Sequence, residues 1–287
     1  MKPRILQLLV FVLLVGTWGS AEALEPLKLY DNFEQAPINS DKWFGSQFEF
    51  PFRYGNASLE VVRRIIQDPQ GRHLRILNRS FGQTTSTDGT SSDFFRLGFA
   101  RSDTITAIRT RVQVQNFEST GCPDSLNLSP SRAAAQIVGF FFNTDPTGPR
   151  DGSNDVIAAV QVERLSNSTL PPDVLEITYF VIHCLDFDCV NGRFLGGGVL
   201  GTVTKGQWVR LLLQWDKDND LFIFRRDTEP PATFNYRGIV TNTGAPGIQV
   251  KTLGLGNFVA NCNFSPRPGA MVDALFDNVF VNESALP

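Results

Sequence analysis

The chain has 287 residues, 42% of them hydrophobic and 19% charged, with 26 basic against 29 acidic side chains and a formal charge of −3. That balance supplies no basic field to gather nucleic acid or an anionic membrane, so neither is an expected partner. Two histidines, His73 and His183, and four cysteines without a C-x-x-C spacing exclude the usual structural zinc patterns.

In chain order, Met1-Lys2-Pro3-Arg4 puts two positive charges ahead of an apolar run from Ile5 to Gly16, and small residues follow up to Ala21-Glu22-Ala23. Those are the three layers of a secretory signal. The apolar run of about 12 residues is short of the roughly 20 that cross a bilayer as a helix, and no positive stop-transfer flank follows it. Cleavage after Ala23 is expected. It leaves residues 24–287 as one mature domain, secreted to an extracellular or periplasmic space and free of the membrane.

Beyond the signal, short apolar or alternating runs are separated by Gly, Pro, Asn and Asp. Strands are expected at Leu27 to Phe33, Phe48 to Tyr54, Ser58 to Ile66, His73 to Asn78, Thr104 to Phe117, Gln136 to Asn143 and Val156 to Leu165. Further strands are expected at Val174 to Cys184, Trp208 to Trp215, Leu221 to Arg226, Lys251 to Ala260 and Ala270 to Asn282. The best helical candidate, Ser131 to Ile137, is hardly two turns. A dozen strands without a sustained helical period imply two packed antiparallel sheets or a barrel. The Gly-, Pro-, Ser- and Thr-rich stretches 82–92, 119–131, 144–154 and 230–247 read as loops at the sandwich ends.

An even number of cysteines in an exported chain reads as disulfides, with three connectivities open. Cys184 and Cys189 bracket Leu185-Asp186-Phe187-Asp188, a hairpin tip, and are paired, which leaves Cys122 with Cys262.

Several constellations bear on chemistry. Phe48, Phe50, Phe52 and Tyr54 share one face of a strand and read as core wall, because Phe lacks the polar handle of a wet ligand-facing ring. Asp216, Asp218 and Asp220 have calcium-loop spacing, but Leu221 stands where that loop needs Gly, so a plain hairpin is expected. Arg63, Arg64, Arg72, Arg75 and Arg79 surround a hairpin and read as a solvated edge. In Thr104 to Phe117, Ile108, Val112 and Val114 share the buried face, and Arg109, Arg111, Gln113 and Gln115 share the other. Guanidinium and amide groups in register hydrogen-bond sugar hydroxyls or carboxylates, so these four are the candidate ligand-binding residues. The plainer reading is an ordinary solvated sheet face. A glycosidase needs two carboxyl groups about 5–10 Å apart, which on one strand means acids two or four positions apart. Glu60, Glu163 and Glu176 each stand alone on their strands, Asp273 and Asp277 share a face of the last strand without a Glu beside them, and no serine elbow, zinc motif or phosphate loop occurs. Asn56, Asn78, Asn167 and Asn282 open glycosylation sequons.

The opening Tyr30-Asp31-Asn32-Phe33-Glu34 with Asp41-Lys42-Trp43, the closing Ala274-Leu275-Phe276-Asp277-Asn278-Val279-Phe280-Val281, Trp208-Val209-Arg210-Leu211 and the hairpin Trp215 to Phe224 resemble the concanavalin A-like lectin and glucanase superfamily. The resemblance implies a jelly-roll sandwich of a dozen or more strands whose concave sheet holds a carbohydrate. It also implies a structural calcium shared by the terminal strands, for which Asp31 and Asp277 are the matching acids. The Glu-x-Asp-x-Glu strand of laminarinase-like members is absent here. The Gln-Ile-His strand of alginate-lyase-like members becomes Gln136-Ile137-Val138, although Arg109 and Arg111 are present. The expected function is therefore an exported, non-catalytic module that recognises a glycan or extracellular polymer on the concave sheet. A polysaccharide hydrolase or lyase with an atypical site is the alternative, and an adhesive protein with a protein partner is the third reading.

Overall fold

The computed structural model describes residues 26–45, 60–86, 89–189 and 191–286. The expected signal peptide and the aromatic stripe at Phe48 to Tyr54 lie outside the described residues.

The described chain is an all-β, two-sheet antiparallel jelly-roll sandwich. Its strands are β1 (Leu27–Asp31), β2 (Trp43–Phe44), β3 (Glu60–Asp68), β4 (Gly71–Phe81), β5 (Thr90–Phe99), β6 (Ala107–Ser119), β7 (Arg132–Asn143), β8 (Asp155–Leu165), β9 (Val174–Cys184), β10 (Gly192–Thr204), β11 (Trp208–Asp216), β12 (Leu221–Arg226), β13 (Ala232–Asn235), β14 (Lys251–Ala260) and β15 (Gly269–Asn282). Sheet A runs β13-β12-β11-β6-β15-β4-β3, with β1 also on β15. Sheet B runs β10-β9-β8-β7-β14-β5-β2.

Alternation builds one core between the sheets. Ile108, Val112 and Val114 of β6 and Val209, Leu211 and Leu213 of β11 face Ala133, Ala135 and Ile137 of β7 and Val156, Ala158, Val160 and Val162 of β8 in one buried cluster. Each buried Val, Leu or Ile side chain contributes about 1.5–3 kcal/mol. At one end of the cluster Phe142 stacks on Trp215 at 5.6 Å and meets Tyr236 at 4.8 Å, with Trp215 Nε1 donating to Tyr236 Oη at 3.0 Å.

Most expected strands are found, with three corrections. Ser131 to Ile137 is not helical: residues 132–137 alternate between the core and the opposite face and open β7. Strand β5 covers residues 90–99, where no strand was expected and where the stretch 82–92 read as a loop. Strands β10 and β13 also escaped the sequence reading. β10 is glycine-rich, with Gly196, Gly197, Gly198 and Gly201, and pairs with β9 through two register shifts. Few of its side chains advertise a strand, so pairing with β9 defines it.

Both disulfides have the expected pairing. Cys122–Cys262 ties the loop after β6 to the β14–β15 connection, and Cys184–Cys189 closes the turn between β9 and β10. Asp216 accepts from the Asn219 backbone at 3.2 Å and side chain at 2.8 Å, so the Asp-rich segment is the tip of the β11–β12 hairpin. Of the sequons in the described residues, Asn167 is exposed, whereas Asn78 and Asn282 are buried inside the fold. No helix of the described residues is long and apolar enough to cross a membrane.

Candidate binding surfaces on the two sheets

The sheet-B face turned away from the core carries polar side chains in cross-strand register. Arg96 of β5 pairs with Gly254 of β14, Gly254 with Gln136 of β7, Gln136 with Gln161 of β8, and Gln161 with Thr178 of β9. Five adjacent strands thus contribute one row. Because pleated strands present alternate residues to one face, the next outward row is Phe94, Gly256, Ala134, Glu163 and Glu176.

The row is wired side chain to side chain. With its amide oriented to satisfy both neighbours, Gln136 accepts from Arg96 Nε at 3.1 Å and Nη2 at 2.6 Å and donates to Gln161 Oε1 at 3.2 Å. Gln161 Nε2 donates to Glu163 Oε2 at 2.8 Å and lies 3.2 Å from Thr178 Oγ1. Thr178 Oγ1 donates to Glu163 Oε1 at 2.6 Å, and Arg132 Nε stands 3.7 Å from Glu163 Oε2. Beside the row, the Arg96 guanidinium lies 4.0 Å over Phe94 and that of Arg132 4.1 Å over Phe258, and the two rings meet edge to face at 5.4 Å.

Glycine makes the crossing between β5 and β7. A Cβ on Gly256 would stand 2.4 Å from the Gln136 amide, and one on Gly254, at φ +149°, 2.6 Å from Arg96 Cα. A side chain at either position would fill the space in which Arg96 and Gln136 meet. Gln136, Gln161 and Glu163 are buried, and Arg96, Arg132, Thr178 and Glu176 keep part of their surface open. Burial, with Arg132 nearby, brings the Arg96 guanidinium down to about 9. No acidic side chain pairs with Arg96 among the described residues.

Sequence reading missed this set. Its signal was the alternation of Arg132, Ala134 and Gln136 against Ala133, Ala135 and Ile137, and of Gln161 and Glu163 against Val160 and Val162. Glu163 and Glu176, each alone on its own strand, become direct partners across β8 and β9.

The expected ligand-binding residues sit on the other sheet. Arg109 and Arg111 lie on the outward face of sheet A and line a cavity of about 470 Å³ with Trp208, Arg210, Asp227 and Phe280. Gln113 and Gln115 do not share its lining: Gln113 Nε2 donates to the Gly206 carbonyl, and Gln115 Nε2 donates to Gln113 Oε1. The guanidinium of Arg109 lies 4.2 Å over Phe280 and that of Arg111 4.6 Å over Trp208. Burial lowers Arg109 below the usual arginine range, and Arg210 and Arg225 lower it further.

No family model matches this sequence, and no curated protein matches it either. Among solved structures it is similar to a glycoside hydrolase family 16 endo-glucanase from Bacteroides ovatus, at 10% identity over 88% of this chain and 98% of that one, with a TM-score of 0.45. It is also similar to a β-1,3-glucanase from Mycobacterium marinum, at 12% identity over 89% and 97% with a TM-score of 0.41. An alginate lyase from Pseudomonas aeruginosa aligns at 10% identity over 76% of this chain and 84% of its own, also with a TM-score of 0.41. These likenesses transfer no residue role.

The two acids expected to share calcium have separate partners. Asp31 Oδ1 accepts from the Phe33 backbone at 2.9 Å and Oδ2 from Trp43 Nε1 at 2.6 Å. Asp277 accepts from the Asn278 backbone and side chain, each at 2.7 Å, and stands 3.7 Å from both His73 and Arg111. Burial raises Asp277 above the usual carboxylate range, against the opposing effects of the Asn278 amide, His73 and Arg111. No group of three or more His, Cys, Asp or Glu side chains is placed to hold a metal among the described residues.

Proposed function

We propose that this protein is an exported, non-catalytic module that binds a glycan across the outward face of sheet B. The observation that carries the reading is the Arg96–Gln136–Gln161–Thr178 row with its Glu163 and Arg132 neighbours. A glycan presents many hydroxyls, each donor and acceptor, along a chain of rings with apolar faces. Amide, hydroxyl and guanidinium groups held in register, beside Phe94 and Phe258, match both features. The buried members of the row fix the rotamers of the half-open ones, so little side-chain entropy is lost on binding. Arg96, which has no acidic partner among the described residues, favours a chain bearing carboxylates.

Affinity electrophoresis of the mature protein on neutral and acidic polysaccharides tests the reading. At least one polysaccharide should retard it, and Arg96→Gln and Thr178→Val should each weaken retardation about tenfold; each removes a partner of a buried polar side chain, so each is assayed well below its own lowered melting temperature. Retardation untouched by both substitutions would place any glycan elsewhere.

Hydrolysis is the second reading, and the Glu163–Glu176 pairing favours it. Directly opposed residues on antiparallel strands have Cβ atoms about 4.5–5.5 Å apart, compatible with the close carboxyl spacing of retaining glycosidases. Two hydrogen bonds to Glu163 weigh the other way, since they hold its carboxylate within the row. Release of reducing ends that disappears in Glu176→Gln would decide for the enzyme.

A further inference from the structure

The cavity on sheet A has a charge problem that the fold does not solve internally. Arg111 and Arg210 are direct partners across β6 and β11. Arg109 and Arg225 flank the same residue, Leu212, from its two sides. Like charges opposed on neighbouring strands destabilise a sheet unless a counter-charge intervenes. Yet Arg109, Arg210 and Arg225 have no ion pair among the described residues, and Arg111 has only Asp277, at 3.7 Å. The Nε atoms of Arg109 and Arg225 are buried and make no hydrogen bond.

Two of the arginines are nonetheless held in place. Phe280 and Trp208 support the planes of Arg109 and Arg111, and Trp208 is itself anchored through Nε1 to Gln70 Oε1 at 2.8 Å. Strand β15 shifts register between Asp277 and Phe280, with Asn278 at φ +50°, and this bulge turns Asn278 into the lining. Bulges of this kind re-aim side chains beside binding sites. The lining acid Asp227 uses Oδ1 to accept from the Arg210 backbone at 2.9 Å, while its Oδ2 lies 3.9 Å from Arg226 Nε.

We propose that this cavity is a second binding site, on the sheet opposite the Arg96–Thr178 row, for an acidic sugar: a ring carrying a carboxylate or a sulfate ester. Clustered guanidinium forks call for an oxyanion. The volume of about 470 Å³ lies within the range of small-ligand clefts, far above the need of a bare inorganic anion. Asp227 repels an anion but accepts from hydroxyl donors, and a sugar brings the two together in one molecule. The site stands independently of the glycan reading for sheet B.

The test is saturation-transfer NMR and calorimetry on the mature protein with glucuronate, glucose 6-sulfate, glucose and inorganic sulfate. Glucuronate or glucose 6-sulfate should bind at least tenfold more tightly than glucose or sulfate, and should weaken severalfold between 50 and 300 mM salt. Arg109→Gln and Arg210→Gln should each reduce that affinity about tenfold. Arg210 is exposed, so Arg210→Gln should fold as the parent does and keep whatever polysaccharide the parent binds through sheet B. Glucose binding as well as glucuronate, or sulfate binding as well as either acidic sugar, would overturn the assignment. So would no binding of any acidic sugar, or acidic-sugar binding lost in Arg96→Gln but kept in Arg210→Gln.

Discussion

Lys251 is buried at the start of β14, its Nζ donating to the Ser102 carbonyl at 2.7 Å and lying 4.9 Å from the Phe141 ring. Burial lowers the ammonium to about 7, with Asp103 acting in the opposite direction. An unfolded lysine titrates near ~10.4. Between these values the unfolded chain holds a proton that the folded chain has released, so this group makes stability rise with pH from about 7 to about 10 and contributes no slope below. The melting temperature of the parent relative to Lys251→Met should therefore climb over that window and stay level beneath it. A difference independent of pH would contradict the titration. The same scale shows what a one-dimensional reading cannot weigh: Arg109 and Gln113 occupy equivalent outward positions on β6, but only Arg109 reaches the cavity, because Gln113 finds the Gly206 carbonyl first.

Among the elements, β8 begins with a buried acid that accepts three hydrogen bonds. Asp155 Oδ1 accepts from the Gly247 backbone at 2.7 Å and Asn143 Nδ2 at 2.8 Å, and Oδ2 from the Ile248 backbone at 2.9 Å. It pins the long 236–250 connection to the start of β8. Asp155→Ala leaves three donors unsatisfied, and the expected loss is about 2–3 kcal/mol, read as a lower urea midpoint with an unchanged slope. Strands rich in apolar residues, such as β6, β8, β11 and β15, were legible from the sequence. β10 was not, since its glycines give little pattern and β9 defines it. β5 was hidden too, although Phe95, Leu97 and Phe99 alternate inward there, because Ser, Thr and Asp dominate its first half.

For the whole molecule, Cys122–Cys262 links two connections 140 residues apart in sequence. Closing so long a loop restricts the unfolded chain most, so the Cys122→Ser/Cys262→Ser double variant should lose about 2–5 kcal/mol, whereas opening the short Cys184–Cys189 loop should cost less. Equal losses from the two would argue against the chain-entropy account. The sandwich also sets the two candidate surfaces on opposite outward faces, so ligands on them need not compete.

The sequence by itself pointed to the all-β class, to one disulfide through its hairpin tip and the other by remainder, and to the outward placement of Arg109 and Arg111. Each rests on local alternation or on spacing along the chain, and alternation is a property of a single strand. Only the tertiary structure decided which strands are neighbours beyond the expected hairpins. It alone put Arg96, Gln136, Gln161 and Thr178 in one row, set Glu163 against Glu176, and brought Arg210, Trp208 and Phe280 around Arg109 and Arg111. Hydrogen-bonded register between residues tens of positions apart is what makes these sites, and periodicity within a strand carries no record of it.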